Sequence, residues 1–150
     1  MAREQSTLLI VDVQRRFKPS KKLIRGIEKL LPTYTHIFAT QFIDGNQLFQ
    51  KILKAKRGRP TLALDLPRQS RIFKKTGYGI PQTLIAELKR KRIREIDVCG
   101  VETDACILAA CFALWDNGIR PNVLHAAMET HAGPSYKRAG RRILQRQFSS

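Results

Sequence analysis

Hydrophobic and polar positions follow two different periods in turn along the chain, which predicts strands alternating with helices. Short runs typical of buried strands occupy 7–13, 36–40, 71–74, 95–100 and 120–126. Segments with the character of helices occupy 20–31, 46–55, 80–92, 103–117 and 133–148. In the second of these, the apolar residues expected to face inward are Leu48, Phe49, Ile52 and Leu53. Parallel strands joined through helices form a sheet that is covered on both faces. We therefore expect an α/β fold, with a Rossmann-like parallel sheet of five or six strands.

The size and composition of the chain suit one intracellular domain. A length of 150 residues with 43% hydrophobic residues supports a single core, so we expect one domain over 1–150. No apolar run is long enough to cross a bilayer, and the first residues lack the layout of a signal peptide. We expect a cytoplasmic protein without membrane contact. The three cysteines include no C-x-x-C pair, which favours reduced thiols over disulfides or structural zinc.

The formal net charge of +16 is high for a domain of this length. Lysine and arginine cluster at 51–59, 89–94 and 137–146, which is compatible with solvated helix faces and with attraction to polyanions or to an anionic substrate. No nucleic-acid-binding motif accompanies the charge, and aromatic residues make up only 7% of the chain. Binding to nucleic acid is therefore possible, but it would be non-specific.

The segment 96–106 contains the most informative cysteine. It reads as a buried strand, a tight turn and a helix whose first turn carries Cys106, with Thr103 as the expected N-cap. The positive end of a helix favours the thiolate form of a cysteine, which is the nucleophilic form. Cys99 and Cys111, by contrast, occupy apolar positions typical of small buried residues.

Two charged positions follow other predicted strands. Asp12 ends the first strand, where a carboxylate either caps the next turn or serves as an acid–base group. Lys74 and Lys75 follow the third strand and would point to opposite sides, so only one can face a pocket. Ligands bind at the carboxyl ends of parallel strands. An acid, a lysine and the thiol of Cys106 at that edge would form a nucleophilic site, with helix-start amides for an oxyanion.

Three motifs then resemble the isochorismatase-like (nicotinamidase-related) cysteine hydrolases. An apolar strand precedes Asp-x-Gln-x-x-Phe at 12–17, a strand precedes Lys-x-x-Tyr at 75–78, and Gly-Val-x-Thr-Asp-x-Cys occupies 100–106. Their order and spacing follow the family over nearly the whole chain. The resemblance implies the family's α/β hydrolase fold, and it selects Lys75 over Lys74.

The same resemblance implies roles for individual residues. Asp12, Lys75 and Cys106 would be the catalytic triad. The family has a non-proline cis peptide at the position of Val101 and Glu102, and the backbone amides of Glu102 and Cys106 would form its oxyanion hole. Phe17 and Tyr78 would line the substrate pocket.

Nicotinamidases carry an Asp-x-His…His metal site after the second strand, but the segment 39–46 of this chain contains no histidine. We therefore expect neither a catalytic metal nor another cofactor. Family members that cleave isochorismate often lack the cysteine, so the presence of Cys106 argues against that reaction. His36, His125 and His131 are scattered along the chain, and we assign them no role.

The leading hypothesis is a metal-independent hydrolase that cleaves an amide-like C–N bond of a small molecule through a cysteine thioester. One alternative is an inactive family member that acts as a binding or assembly protein. Another is a basic polyanion-binding protein on the same scaffold. Because relatives are often oligomers, we expect a homo-oligomer. The apolar helix around 107–115 is most simply core, and the alternative is that part of it contacts a second subunit.

Overall fold

The computed structural model describes residues 6–44, 47–52 and 59–149. Within these residues, five parallel strands form one sheet in the order β3-β2-β1-β4-β5. The strands are β1 (Thr7–Val11), β2 (His36–Phe42), β3 (Arg71–Lys75), β4 (Glu95–Val101) and β5 (Arg120–Glu129). The predicted Rossmann-like α/β fold is confirmed, with five strands.

Four helices of the described segments connect consecutive strands, as the sequence predicted, and a fifth follows β5. They are α1 (Lys21–Leu30), α2 (Gln47–Ile52), α3 (Gln82–Arg90), α4 (Cys106–Asp116) and α5 (Pro134–Phe148). Helix α1 begins where Ser20 caps it, because its hydroxyl accepts a hydrogen bond from the backbone N–H of Leu23 at 3.0 Å. No helix among these described segments is long and apolar enough to cross a membrane.

The core consists of two layers, one on each face of the sheet. In β1, Leu8 and Ile10 pack with α1 on one face, whereas Leu9 and Val11 pack with α3, α4 and α5 on the other. All five residues of this strand are buried. This burial on both faces explains why the strand reads as a continuous apolar run in the sequence.

Helix α4 starts later than predicted. Its N-cap is Ala105, and Thr103 makes no cap: Thr103 is fully buried, and its backbone N–H donates to the carbonyl of Glu129 at 2.9 Å. The prediction that Thr103 caps the helix is therefore wrong. Four residues, 102–105, separate β4 from α4, and Cys106 is the first helical residue.

Some apolar helix positions lie outside the core. Leu48 and Ile52 of α2 are exposed, so the inward apolar face expected for this helix is not formed by them. The side chain of Phe49 and all of Leu53, expected on the same face, lie outside the described residues. On α4, Phe112 and Trp115 are exposed. The contact of this helix with a second subunit stays a prediction.

The sheet changes winding direction between β1 and β4. The chain adds β2 and β3 on one side of β1, and then adds β4 and β5 on the other side. Connections leave these two neighbouring strands in opposite directions, so a crevice opens at their carboxyl ends, where such folds bind ligands. Gly100 lets β4 approach β1 here: it has φ +122°, and a Cβ at this position would collide with the backbone of Val11.

Candidate active site

Asp12 directly follows β1 and lies in the crevice. Its backbone has a left-handed conformation with φ 50°, which is uncommon outside glycine but tolerated by aspartate. The carboxylate is buried, and its Oδ1 accepts a hydrogen bond from the hydroxyl of Thr40 at 2.8 Å. The Thr40 oxygen also accepts from the Asp12 backbone N–H at 3.2 Å. Strand β2 therefore fixes the orientation of the carboxylate.

Lys75 is the last residue of β3, and its side chain reaches Asp12 past β2. The Lys75 Nζ lies 2.7 Å from Asp12 Oδ2, and the two side chains are only 2% and 1% exposed. The ammonium also donates to the carbonyl of Tyr78 at 3.0 Å. Lys74 is exposed. Of the two lysines that the sequence left open, Lys75 is the one beside the acid, as the family resemblance implied.

Cys106 completes this group of three. Its thiol lies close enough to the side chains of Asp12 and Lys75 for both to act on its pKa. Burial, and after it the Asp12 carboxylate, raise the pKa of Cys106 to about 12, although the Lys75 ammonium opposes the rise. The direction of this shift contradicts the expectation that the sulfur is ionised at rest, because loss of water and the adjacent carboxylate both favour the neutral thiol. The resting site holds a thiol next to a carboxylate that can accept its proton.

The turn after β4 places backbone donors beside the thiol. The Val101–Glu102 peptide is cis, as the resemblance implied. The carbonyl of Glu102 accepts from the N–H groups of Ala105 and Ile107 at 3.1 and 3.0 Å, which closes the turn into α4. Within residues 6–44, 47–52 and 59–149, the N–H groups of Glu102 and Cys106 have no hydrogen-bond acceptor. Both remain available for a developing oxyanion.

A cavity of about 540 Å³ opens on these groups, which is a volume suited to a small molecule. Asp12 and Cys106 lie on its wall, together with Glu102. Phe17 and Tyr78, which the resemblance placed at the pocket, also line it. The cavity therefore brings together five of the six residues named from the sequence, and Lys75 lies behind Asp12.

The glutamine of the first motif, Gln14, has a structural role. It is fully buried; its Oε1 accepts from the Phe42 backbone N–H at 2.8 Å, and its Nε2 donates to the carbonyls of Phe42 and Pro60 at 2.9 and 3.1 Å. One side chain thus ties the segment after β1 to the end of β2. This connection fixes the segment that carries Asp12 and Phe17.

The segment that follows β2 does not suit a catalytic metal. Asp44 is the only acidic residue between 43 and 52, and its carboxylate accepts from the guanidinium of Arg16 at 2.9 Å. The guanidinium carbon lies 5.4 and 5.5 Å from the ring centres of Phe17 and Phe42. Arg16 and Phe42 also line the cavity, so a fixed cation occupies this wall and would repel a metal ion.

Two residues of the cavity wall, His131 and Arg16, were not among the site residues predicted from the sequence. His131 lines the cavity, and its ring Nδ1 lies 2.7 Å from the carboxylate of Glu102. The signal available in the sequence was its place after β5, at the same sheet edge as Asp12.

A model of the isochorismatase domain matches residues 6–148. The chain belongs to the isochorismatase-like hydrolase family. No curated protein sequence matches the chain significantly. The family's hydrolase fold is thus established for nearly the entire chain, and the earlier resemblance is confirmed.

Solved structures of other proteins share this fold. The pyrazinamidase of Pyrococcus horikoshii in complex with zinc has 18% sequence identity and a TM-score of 0.84, over 96% of each chain. An isochorismatase-like hydrolase from Alkaliphilus metalliredigens has 15% identity and a TM-score of 0.77, over 97% of this chain and 93% of that one. An N-carbamoylsarcosine amidase from Thermoplasma acidophilum has 13% identity and a TM-score of 0.76, over 96% and 92%. At these identities the likeness establishes the fold alone.

Proposed function

We propose that the protein is a cysteine hydrolase that cleaves an amide-like C–N bond of a small molecule through a thioester on Cys106. The observation that carries the proposal is the buried contact of 2.7 Å between Lys75 and Asp12, with Cys106 beside both at the wall of the cavity. Acid, cation and thiol from three distant segments meet where a substrate can enter.

In the first half of the reaction, the Asp12 carboxylate takes the proton of the Cys106 thiol as the sulfur attacks the carbonyl carbon. The pKa of Cys106, raised to about 12 by burial and by Asp12, makes this proton transfer part of the attack. The N–H groups of Glu102 and Cys106 bind the oxyanion. The C–N bond then breaks, the leaving amine takes the proton from Asp12, and a thioester remains.

In the second half, Asp12 accepts a proton from water as the water oxygen attacks the thioester carbonyl. The C–S bond breaks, the acid leaves, and the sulfur recovers its proton from Asp12. Lys75 stabilises the negative charge that moves between Asp12 and the sulfur, because its ammonium faces both. No step in this scheme uses a metal, in keeping with the Arg16–Asp44 pair after β2.

A panel of small amides tests the proposal, including nicotinamide, pyrazinamide and N-carbamoylsarcosine, with released ammonia as the readout. Turnover should disappear in Cys106→Ala and persist in Cys111→Ala, a matched change at a core cysteine of the same helix. Mass spectrometry of the wild type should detect an acyl group on Cys106. Equal turnover by wild type and Cys106→Ala would contradict the chemistry. Absence of both turnover and acylation would favour the inactive binding protein.

Helix α5 supports a second candidate function, the binding of polyanions. The helix contains five exposed cations and no acidic residue; the cations are Lys137, Arg138, Arg141, Arg142 and Arg146. Its buried contacts with the rest of the protein are a narrow stripe of Gly140, Leu144 and Phe148. Residues spaced four apart share a helix face, so Arg138, Arg142 and Arg146 form one cationic ridge.

Binding of an RNA oligonucleotide at increasing salt tests this second function. Changing the three ridge arginines to glutamine should weaken binding and reduce the slope of log K against log salt by roughly 2, at about 0.7 per contact for single strands. The matched control changes three exposed cations of α1 to glutamine, namely Lys22, Arg25 and Lys29. An equal loss in both triple variants would indicate attraction by net charge without a binding surface.

A further inference from the structure

The segment after β5 holds the carboxylate of Glu102 with two donors from one residue. The ring Nδ1 of His131 lies 2.7 Å from Glu102 Oε1, and the His131 backbone N–H donates to Oε2 at 2.6 Å. The other ring nitrogen, Nε2, lies 3.2 Å from the carbonyl oxygen of Lys18. One imidazole therefore joins the turn after β4 to the segment before α1.

Both ring nitrogens of His131 face oxygen acceptors. A neutral imidazole has only one N–H, so only the imidazolium can donate to the carboxylate and the carbonyl together. Burial by itself lowers the pKa of His131, but the bonds to Glu102 and to the Lys18 carbonyl raise it, as do the charges of Glu102 and Glu129, and the net direction is upward. The positively charged Arg16 lines the same cavity.

Neighbouring contacts hold the same three segments together. The carbonyl of Glu129 accepts from the Thr103 N–H at 2.9 Å, and its carboxylate accepts from the Ser20 N–H at 3.0 Å. Thr130 donates through its hydroxyl to Asp104 at 2.5 Å. Among these contacts, the bond between His131 and the Glu102 carboxylate is the one that directly holds an oxyanion-hole residue.

We propose that His131, as an imidazolium, is a positioning residue that fixes the Glu102 peptide so that its N–H can bind the oxyanion. The inference rests on the proposed function of Cys106. When His131 loses its proton, the Nε2 lone pair faces the Lys18 carbonyl and one of the two anchors is lost. The oxyanion donor then becomes less well placed, while the thiol and its two charged neighbours are unchanged.

Two reagents separate the oxyanion hole from the reactivity of the thiol. p-Nitrophenyl acetate forms a bond between the Cys106 sulfur and the acetyl carbon through an oxyanion and releases p-nitrophenolate. Iodoacetamide forms a bond between the sulfur and its methylene carbon and releases iodide, with no oxyanion. The ratio of the two rates at Cys106, corrected with Cys106→Ala, therefore reports on the oxyanion hole alone.

We expect His131→Gln to lower this ratio about tenfold, because removal of a whole oxyanion donor costs roughly 100-fold or more. Alkylation should stay within twofold of the wild type. The wild-type ratio should fall as pH rises through the titration of His131, and the ratio of the variant should not change over that range. The control is His125→Gln, a histidine of β5 outside the cavity lining, which should leave the ratio unchanged.

Glu102→Gln changes the other partner of the same contact and should lower the ratio by a similar factor. The double variant His131→Gln/Glu102→Gln should show no further loss. Circular dichroism checks that each variant is folded. A ratio that stays at the wild-type value in both variants would overturn the positioning role while Cys106 remains reactive. Equal losses in acylation and alkylation would also overturn it, because they would indicate general damage to the site. A Cys106 that reacts with neither reagent would overturn the proposed function itself.

Discussion

Replacement of Lys75 by methionine tests the buried ion pair between Lys75 and Asp12, and the test requires no knowledge of the substrate. The variant keeps the length of the side chain but removes the ammonium that lies 2.7 Å from Asp12. Because the two side chains are 2% and 1% exposed, water cannot replace the lost partner. The carboxylate would keep its hydrogen bond from the Thr40 hydroxyl.

Loss of one partner from a buried ion pair typically costs about 3–5 kcal/mol, since the other charge stays buried without compensation. We expect Lys75→Met to lower the free energy of unfolding by about this amount at neutral pH, measured by urea denaturation. The double variant Asp12→Asn/Lys75→Met removes both charges, so it should be more stable than Lys75→Met alone. Together with the single variant Asp12→Asn, these proteins form a double-mutant cycle that isolates the coupling between the two groups.

Lys74 provides the matched control, because it is the adjacent, exposed lysine of the same strand. Lys74→Met should change the unfolding free energy by less than about 0.5 kcal/mol, as surface substitutions usually do. A stabilising buried ion pair is refuted if the unfolding free energy of Lys75→Met lies within about 1 kcal/mol of the wild type, or if the double variant is no more stable than Lys75→Met.

Three further predictions concern other parts of the structure. The pKa of Cys106, raised to about 12 by burial, implies that its iodoacetamide alkylation keeps accelerating above pH 10; a plateau near pH 7 would contradict this. The guanidinium groups beside Glu87, that of Arg90 first, lower its pKa to about 2. The ionised Glu87 carboxylate therefore stabilises the fold above its ordinary pKa of 4.5, and this stabilisation is lost as pH falls towards 2. Glu87→Gln should accordingly lower the unfolding free energy in urea titrations at pH 7 and not at pH 2. Gly100→Ala should lower the unfolding free energy by more than about 2 kcal/mol, because the new Cβ collides with the backbone of Val11, and a soluble variant of wild-type stability would disprove this.

The order of strands and helices could be predicted because central parallel strands are buried on both faces and therefore have continuous apolar sequences. All of β1 is buried, and its sequence reads accordingly. The end of α4 was also predictable from Gly118, which has φ +74°. Its beginning was not, because Thr103 resembles an N-cap but is buried in a contact with the distant carbonyl of Glu129.

The candidate triad could be named from the sequence, but its electrostatics could not. The charge state of Cys106 depends on how much water the fold excludes, and no local pattern contains that information. The partners of Arg16 and His131 are likewise invisible locally, because Asp44 and Glu102 are 28 and 29 positions away in the chain. Only the packed sheet brings these pairs together.

The strand order has a consequence for heat inactivation. Lys75 belongs to β3, an edge strand that pairs only with β2 in the described sheet, whereas Asp12 follows the central strand. The ion pair of 2.5 Å between Arg71 and Glu87 of α3 stabilises this edge. Even so, edge strands open locally before the centre of a sheet. Amide hydrogens of β3 should therefore exchange with deuterium sooner than those of β1, and warming should remove the proposed hydrolase activity before the molecule as a whole unfolds.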